Sequence, residues 1–312
     1  MNECQPLVSI LTLVYNHGAF IEQTIDSVLN QTFQNWEWII LDDGSIDNTG
    51  EAIKRIEDSR IHYVKQEHAG FEHLIRTYNK ALAMCSGDFI ALLDGDDYWP
   101  SDKLEIQVKS FDDPDTVLSY GECFVINREG NKIDHVRLPE DFSVACNNPI
   151  GSALRKLMTE EWCFAVPPTV MIRKCTLLSI GGFKEVKGLG EDLPTWVMLS
   201  LEGNFSAIPR CLAYYRKHPF SVTATENPVV YFHNQIVFLR DFIQKNNPIL
   251  ERIGFSVDMD KLEKRWGWLS IKIKIIYLLR ILSSLLRIDV VNSVVSAKLR
   301  LCNLLSTLLR KF

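Results

Sequence analysis

The chain has 312 residues, 46% hydrophobic and 23% charged, which fits an ordinary globular protein with room for one α/β domain and an appendage. The net charge of −5 is uneven, because residues 264–312 hold ten Lys or Arg and one acid, a net of +9 that leaves −14 on residues 1–263. An acidic body with a basic, leucine-rich tail argues against a nucleic-acid partner and favours an anionic membrane surface.

Apolar, β-branched runs alternate with helical stripes in the first third of the chain. The predicted strands are VSILTLV (8–14), WEWIIL (36–41), IHYV (61–64) and DFIALL (88–93). After the first strand, Ile21, Ile25, Val28 and Leu29 recur at helical spacing. Asp47 is the predicted N-cap of the second helix, and Ser101 or Asp102 that of the helix after the fourth strand. This alternation predicts βαβ units and a mainly parallel sheet.

Beyond about residue 116 the alternation weakens. VLSYGECFVIN and HVRL predict antiparallel or mixed strands, and PPTVMIRKCTLLSIGGFKE predicts a strand, a helix and a glycine turn. GLGEDLPTWVMLSLEGN predicts a loop and a helix, and SAIPRCLAYYRKHPFSVT predicts another strand. Residues 226–255 are predicted to be helical.

Polar side chains cluster where three predicted strands end. Ligands of open α/β sheets bind outside the carboxyl ends of the strands, so these clusters mark the expected site. They are Thr12, Tyr15 and Asn16 after the first strand, Asp42 and Asp43 after the second, and Asp94, Asp96 and Asp97 after the fourth.

The stretch LLDGDDYW places Asp94, Asp96 and Asp97 within four positions after an apolar run. Carboxylates at a strand end can hold Mg²⁺ or Mn²⁺ against a diphosphate. The alternative is a solvated acidic turn that caps a helix. The second cluster, LDDGSIDNTG, offers acceptors for a base or ribose, or is a strand-to-helix turn with an Asp cap.

Several of these motifs together resemble a known family. VSILTLVYNHGAFIEQTIDSVLNQTFQNWEWIILDDGSIDNT is similar to the opening of the family 2 glycosyltransferases of the nucleotide-diphospho-sugar transferase (GT-A) fold. The similarity continues, in the family's order and spacing, through SGDFIALLDGDDYW, GGFKE, GEDLPTW and YYRKHPFSVT, over roughly residues 6–225. The resemblance implies a Rossmann-like, mixed but mainly parallel sheet flanked by helices, with a helical C-terminal extension.

The resemblance also implies a transferase that uses a nucleotide-activated sugar, most often a UDP-sugar, and a divalent cation, Mn²⁺ or Mg²⁺. The donor-binding residues that it implies are Thr12, Tyr15, Asp42, Asp43, Asp94 and Asp97. Asp96 is expected to ligate the metal directly, together with Asp94 and with His218 of YYRKHPFSVT, where a surface loop His is the alternative.

In GEDLPTW the resemblance makes Asp192 the general base and Glu191 its neighbour, placed to contact the acceptor. Without it, both acids could simply favour a helix N-terminus electrostatically. The family often has Arg-Asn before the fourth strand. RTYNKAL instead places Tyr78 before Asn79, with Arg76 two positions earlier as the candidate cation for the donor. The family's Arg after the ED helix start is also missing from WVMLSL.

The predicted domains are a catalytic domain over 1–225, a helical extension over 226–266 and an amphipathic basic tail over 267–312. In the tail, Lys272, Arg280 and Arg287 share a helical face, which suits an anionic membrane surface; a helical cap or a dimer seam is the alternative. The eight cysteines form no CxxC pair, and the N-terminus lacks the basic region of a signal peptide. No run reaches the ~18 apolar residues of a membrane span.

The expected function is an inverting transfer to an acceptor hydroxyl, with a glycan or lipid-linked acceptor, on the cytoplasmic face of the inner membrane in cell-surface polysaccharide synthesis. Two alternatives differ in class. A sugar nucleotidyltransferase needs a glycine-rich, basic loop after its first strand, which TLVYNHGAF is not. A non-catalytic sugar-nucleotide-binding scaffold predicts loss of the metal or base carboxylates, and both sets are present.

Overall fold

A computed structural model describes residues 5–159, 163–225, 227–255 and 258–285. Within these ranges the strands join in one sheet. They are β1 (Val8–Val14), β2 (Trp36–Asp42), β3 (Ile61–Lys65), β4 (Phe89–Leu92), β5 (Thr116–Ile126), β6 (Lys132–Val136), β7 (Met171–Arg173) and β8 (Asn204–Arg216). The first four agree closely with the predicted strands. β1, β2 and β4 are apolar runs that the rest of the fold buries, whereas β3 is partly exposed.

The helices follow the strands in the predicted alternation and then dominate the C-terminal part. They are α1 (Ile21–Leu29), α2 (Thr49–Lys54), α3 (Leu74–Leu82), α4 (Lys103–Lys109), α5 (Phe142–Ala145), α6 (Ser152–Thr159), α7 (Lys174–Ser179), α8 (Asp192–Leu199), α9 (Val222–Thr225), α10 (Pro228–Arg252) and α11 (Met259–Leu285). Pro194 lies in the first turn of α8, where its missing N–H costs no helical hydrogen bond.

β1 lies at the centre of the parallel part of the sheet. It pairs with β2 on one side and β4 on the other, and β3 extends the sheet beyond β2. The strands lie in the order β3-β2-β1-β4, so the chain adds strands on one side of β1 first and then places β4 on the other side, still parallel to β1. A crevice forms where the chain switches sides in this way, outside the carboxyl ends of the strands, and this is where open α/β sheets bind ligands.

The second half of the sheet is mixed. β7 pairs antiparallel with both β4 and β5, β6 pairs antiparallel with β5, and β8 runs parallel to β5 along most of its length. The predicted mixed, mainly parallel α/β architecture is therefore confirmed. The predicted strand HVRL was misplaced, since β6 ends at Val136.

The core lies against the parallel strands. All seven residues of β1 are buried, as expected for a strand that is covered on both faces. A cluster on one side of the sheet joins β1, β2 and β4 to α1, α2 and α4, with Trp36, Trp38 and Phe111 among its largest members. α3 contacts β1 and β2 and buries Ile75 and Tyr78.

Of the two predicted helix caps, the one at Asp47 was wrong, and the one at Asp102 was correct in position but makes no capping bond. Asn48, not Asp47, occupies the N-cap position of α2, and the Asp47 carboxylate instead accepts hydrogen bonds from the N–H groups of Thr49 and Gly18. Asp102 does occupy the N-cap position of α4, but its side chain makes no capping bond and pairs with Arg210 at 2.8 Å. Asp102 therefore makes a long-range ion pair in place of a capping bond, whereas Asp47 combines a local bond to Thr49 with a long-range bond to Gly18.

The chain divides into two compact units, Met1–Asp258 and Met259–Phe312. The first unit includes α10, which the sequence analysis placed in a separate extension, and α11 begins the second. Among the described residues, no helix combines the length and apolarity that crossing a bilayer requires. The predicted membrane-binding tail is described only as far as residue 285, so Arg287 lies outside the described residues.

Candidate active site

The loops that follow β1 and β2 are tied together at the crevice. Asn16 adopts a left-handed backbone conformation, with φ 56°, that turns the chain after β1. Its N–H donates to Ser45 Oγ over 2.9 Å, and its side-chain oxygen accepts from the Ile46 N–H over 2.9 Å. These bonds fix one wall of the crevice.

Asp42 ends β2 and is fully buried. Its carboxylate accepts hydrogen bonds from the Ser45 N–H at 2.7 Å and from the Tyr63 hydroxyl at 2.5 Å. Thr12 is also fully buried, and its hydroxyl accepts from the Trp38 indole N–H at 2.8 Å. The structure therefore places Asp42 and Thr12 beneath the crevice, where they shape its wall rather than line it.

Asp43 faces a different environment. Its carboxylate accepts hydrogen bonds from the N–H groups of Ala69 and Gly70, at 2.9 and 3.0 Å, and from the Gln66 amide at 2.7 Å. Burial alone would raise the pKa of Asp43, but these hydrogen bonds hold that pKa below its ordinary value. Asp43 is thus an ionised acceptor at the crevice edge.

Tyr15 and His68 form an aromatic pair beside Asp43. Their rings stack with centroids 4.0 Å apart and an interplanar angle of 18°. The His68 imidazole also lies 2.9 Å from an Asp43 carboxylate oxygen. Tyr15 is 40% exposed, so the pair presents an accessible flat surface next to an ionised acceptor. This combination suits a nucleoside, which offers a ring to stack and hydroxyls to donate.

Asp94 lies at the end of β4, beside Asp96. Its Oδ1 accepts a hydrogen bond from the Tyr78 hydroxyl over 2.9 Å. Removal from solvent and repulsion from Asp96 raise the pKa of Asp94 to about 7, although the Tyr78 hydrogen bond opposes the change. The two carboxylates are therefore close enough for the charge of one to oppose ionisation of the other.

Asp96 meets two imidazoles. His218 Nε2 lies 3.0 Å from Asp96 Oδ2, and Gly95 leaves space for His17, since a Cβ at position 95 would lie 2.6 Å from His17 Nδ1. Burial alone would raise the pKa of Asp96, but His17 and His218 hold it below its ordinary value. His17 was not identified from the sequence, because nothing in its local pattern reveals its effect on Asp96.

Asp97 anchors the end of β8. Its Oδ1 accepts from the Arg216 N–H at 2.7 Å, while the Arg216 guanidinium donates to the Asp96 carbonyl at 2.8 Å and to Gln23 at 2.5 Å. Asp97 Oδ2 is buried and has no hydrogen-bond partner among the described residues. Burial and the charges of Asp96 and Asp94 raise the pKa of Asp97 well above its ordinary value.

The chemistry of this cluster fits a divalent cation. Carboxylate oxygen and imidazole nitrogen are ligands that Mn²⁺ accepts, and a cation would relieve the repulsion between Asp94 and Asp96. Over the described residues, no three His, Cys, Asp or Glu side chains converge into a metal-holding group. The structure thus brings Asp96 and His218 together, but does not assemble the expected set of Asp94, Asp96 and His218.

Glu191 and Asp192 lie at the start of α8. Glu191 occupies the N-cap position without a capping side-chain bond and is 8% exposed. Burial, then the charges of Asp192 and Asp94, raise the pKa of Glu191 well above its ordinary value. Burial also raises the pKa of Asp192. The charge of Asp94 thus acts on Glu191, which indicates that the two acids at the start of α8 lie near the aspartate cluster.

Comparison with known proteins identifies the family of the chain. The profile described as "Glycosyl transferase family 2" matches residues 9–179, more than half of the chain. The chain belongs to this family. It is therefore a glycosyltransferase, and its curated relatives carry the same activity in their names.

Two relatives illustrate the similarity of this glycosyltransferase to known proteins. The putative teichuronic acid biosynthesis glycosyltransferase TuaG of Bacillus subtilis (strain 168) is 33% identical over 224 residues, which cover 69% of this chain and 81% of the relative. The UDP-Glc:alpha-D-GlcNAc-diphosphoundecaprenol beta-1,3-glucosyltransferase WfgD of Escherichia coli is 31% identical over 252 residues, which cover 78% and 88%.

Solved structures confirm the GT-A fold of the glycosyltransferase. TarS 1–349 of S. aureus in complex with UDP-GlcNAc superposes with a TM-score of 0.60 at 16% identity, covering 76% of this chain and 66% of that one. The mannosyltransferase PcManGT of Pyrobaculum calidifontis, in complex with GDP-Man and Mn2+, gives a TM-score of 0.52 at 16% identity, covering 92% and 89%. At these identities the similarity concerns the fold alone.

The glycosyltransferase places Tyr78, not Arg76, against the aspartate cluster. Arg76 is exposed and pairs with Glu185 at 3.1 Å, so the structure does not bring the predicted donor cation to Asp94. Asn79 instead bonds both backbone groups of Phe183, at 2.9 Å each, and so anchors the predicted glycine turn. The sequence showed that Tyr78 stands where the family often has Arg, but it did not show the hydrogen bond from Tyr78 to Asp94.

Proposed function

We propose that this glycosyltransferase moves a sugar, with inversion, from a UDP-sugar to a hydroxyl of a lipid-linked glycan acceptor in cell-surface polysaccharide synthesis. One observation carries the proposal. His218 lies 3.0 Å from Asp96, and the charge of the neighbouring Asp94 acts on Glu191, which directly precedes the proposed base Asp192. The arrangement supplies a diphosphate-binding end and a proton-accepting end.

The nucleoside is assigned to the wall formed by Tyr15, His68 and Asp43. The stacked rings provide a flat contact for a base, and the ionised Asp43 carboxylate can accept a hydrogen bond from the base or ribose. Support for UDP comes from the relative WfgD, whose name specifies UDP-Glc, and from the TarS complex with UDP-GlcNAc.

The donor diphosphate is assigned to the aspartate cluster, with Mn²⁺ or Mg²⁺ held by Asp96 and His218 and supported by Asp94. A cation bound there would neutralise the negative charge on the departing diphosphate. Asp97 would stay bound to Arg216 and keep the end of β8 in place. The PcManGT complex, which contains Mn2+, supports a cation at this kind of site.

Asp192 is the proposed general base. Its carboxylate takes the proton of the acceptor hydroxyl while that oxygen bonds to the anomeric carbon and the bond to the diphosphate breaks. A single displacement inverts the anomeric configuration, so one base suffices. Burial raises the pKa of Asp192, which makes its ionised form a better proton acceptor than an exposed aspartate.

The acceptor and the location are inferred from the relatives and the tail. WfgD acts, by its name, on a GlcNAc-diphosphoundecaprenol, and TuaG is named for teichuronic acid biosynthesis. A lipid-linked acceptor makes attachment to a membrane surface useful, and the basic tail from residue 267 has the composition for it. We therefore place the protein on the cytoplasmic face of the inner membrane.

The test uses the purified full chain with Mn²⁺ and a panel of nucleotide sugars. The acceptor probe is N-acetylglucosaminyl diphosphate linked to a short lipid chain. We expect one UDP-sugar to be consumed with release of UDP, and NMR of the product to show the anomeric configuration opposite to that of the donor. Turnover of no nucleotide sugar would contradict the transferase proposal, and a retained configuration would contradict the single-base mechanism.

A further inference from the structure

α10 lies downstream of the residues that the family profile matches, yet it belongs to the first compact unit. Its start is well defined, because the Asn227 side chain accepts hydrogen bonds from the Val229 and Val230 N–H groups and Pro228 takes the first helical position. Its buried residues, which include Phe232 and Leu239, pack it into the unit. The same helix carries Tyr231 and Asn234 three positions apart, on one face.

Asn234 contacts the loop that leads to the proposed base. Gly188 has φ +68°, and a Cβ at this position would lie 2.3 Å from Asn234 Nδ2. The missing side chain of Gly188 therefore makes the room that Asn234 occupies. Since Glu191 follows Gly188 by three residues, this contact brings the face of α10 that carries Tyr231 over the start of α8.

Tyr231 belongs to a cluster of groups around Asp192. Its phenol is within interaction range of Asp192, Cys163, Glu191 and Tyr215, which come from three further segments of the chain. Burial, followed by these charges, raises the pKa of Tyr231 well above its ordinary value, so the phenol stays neutral and can donate a hydrogen bond.

Cys163 is held in this cluster by α8. Its Sγ donates to the Ala165 carbonyl at 3.7 Å, and the fully buried Trp196 donates its indole N–H to the same carbonyl at 2.9 Å. Burial and the charge of Asp192 raise the pKa of the Cys163 thiol, which keeps it neutral as well. Tyr231 and Cys163 thus contribute a neutral phenol and a neutral thiol to the surroundings of Asp192.

We propose that Tyr231 is an acceptor-binding residue, whose ring and hydroxyl hold the acceptor sugar so that one of its hydroxyls meets Asp192. A phenol suits this task, because its apolar ring packs on the C–H face of a sugar and its O–H bonds a sugar hydroxyl. The inference rests on the proposed function and adds to it a determinant of acceptor recognition. The donor wall of Tyr15, His68 and Asp43 is built from other segments.

Two reactions of the same protein separate the acceptor from the donor. Transfer to the N-acetylglucosaminyl diphosphate lipid needs the acceptor wall, whereas hydrolysis of the UDP-sugar by water needs only the donor site and the base. We expect Tyr231→Ala to raise KM for the lipid probe by about tenfold or more, the effect of losing a hydrogen bond and an aromatic contact. The rate of UDP release in water should stay at the wild-type level.

Tyr231→Phe removes only the hydroxyl and keeps the ring and its packing. It tests the assignment even if the alanine variant does not fold, and we expect it to raise KM for the lipid probe by less than Tyr231→Ala does. His233→Ala is the matched control, because His233 is exposed on the same helix, and it should leave both reactions unchanged. An unchanged KM in the folded Tyr231 variants, or equal losses of transfer and hydrolysis, would overturn the assignment. If the wild type neither transfers nor hydrolyses, the proposed function itself fails and the assignment fails with it.

Discussion

His218 Nε2 lies 3.0 Å from Asp96 Oδ2, although the two residues are 122 positions apart in the chain. The contact joins the segment after β8 to the loop after β4, and the hydrogen bond from Arg216 to Asp97 holds the same two segments together. A carboxylate oxygen and an imidazole nitrogen thereby lie side by side. This pair is where the proposed cation would need the least rearrangement.

Removing the imidazole should weaken cation-dependent nucleotide binding. We expect His218→Ala to lower the affinity for UDP in Mn²⁺ by about 10–100-fold, the range typical of losing groups that position or tune a metal. Asp96→Ala should abolish the Mn²⁺ dependence altogether. Isothermal titration with UDP, with and without Mn²⁺, measures both effects. His62→Ala removes an exposed histidine of β3 and serves as the control. Metal-independent UDP binding in the wild type would show that the cluster holds no cation.

Replacement of the base should separate chemistry from binding. Asp192→Asn keeps the size of the side chain but cannot take a proton, so we expect transfer to fall by about 10²–10⁴-fold while UDP-sugar affinity stays unchanged. Single-turnover kinetics and a parallel binding titration give the two quantities. The control is Asp241→Asn, which alters an exposed carboxylate of α10. Wild-type turnover in Asp192→Asn would refute the base role.

The sequence was sufficient for the parallel part of the sheet and for the residues that end its strands. β1, β2 and β4 are apolar runs, so their own residues predict that they are buried. Because these strands are parallel, the aspartates that follow β2 and β4 must lie at the same edge of the sheet. For this reason Asp43, Asp94 and Asp96 could be expected at one edge of the sheet before the fold was known.

The remaining parts of the site depend on contacts between distant segments. His68 stacks on Tyr15, His17 lies against Gly95, and the charge of Asp192 acts on Tyr231. His68, His17 and Tyr231 have no periodic or motif signal of their own. Conversely, Asp42 was expected to bind the donor, and only the structure reveals that Ser45 and Tyr63 use both of its oxygens. Local pattern gives a residue's place along a strand, but not its partner across the crevice.

Asp94 should make stability depend on pH when no metal is bound. Its pKa rises from an ordinary value of 3.8 to about 7 in the folded protein. Folding therefore favours the protonated carboxyl. Its contribution to the free energy of unfolding is fully present below about pH 4 and is lost as the pH rises through about 7. Asp94→Asn cannot ionise and still accepts the Tyr78 hydrogen bond.

In the presence of a chelator, we expect Asp94→Asn to be more stable than the wild type at pH 8, by on the order of 4 kcal/mol, since the pKa rises by about three units and one unit corresponds to about 1.4 kcal/mol. At pH 4 the two proteins should differ little. Urea unfolding at both pH values measures the difference. A gain in stability that is equal at pH 4 and pH 8 would show that ionisation of Asp94 is not its cause.

Deletion of residues 267–312 should release the protein from anionic membranes without disturbing the site. The deleted segment carries eight Lys or Arg and one acid, and each cation near an anionic surface contributes about 1 kcal/mol. The full chain should sediment with phosphatidylglycerol vesicles at low salt, less so at high salt, and not with phosphatidylcholine vesicles. The shortened chain should stay in the supernatant and bind UDP as before, because the residues of the site lie in the first compact unit. A full chain that never sediments with anionic vesicles would exclude the tail as a membrane anchor.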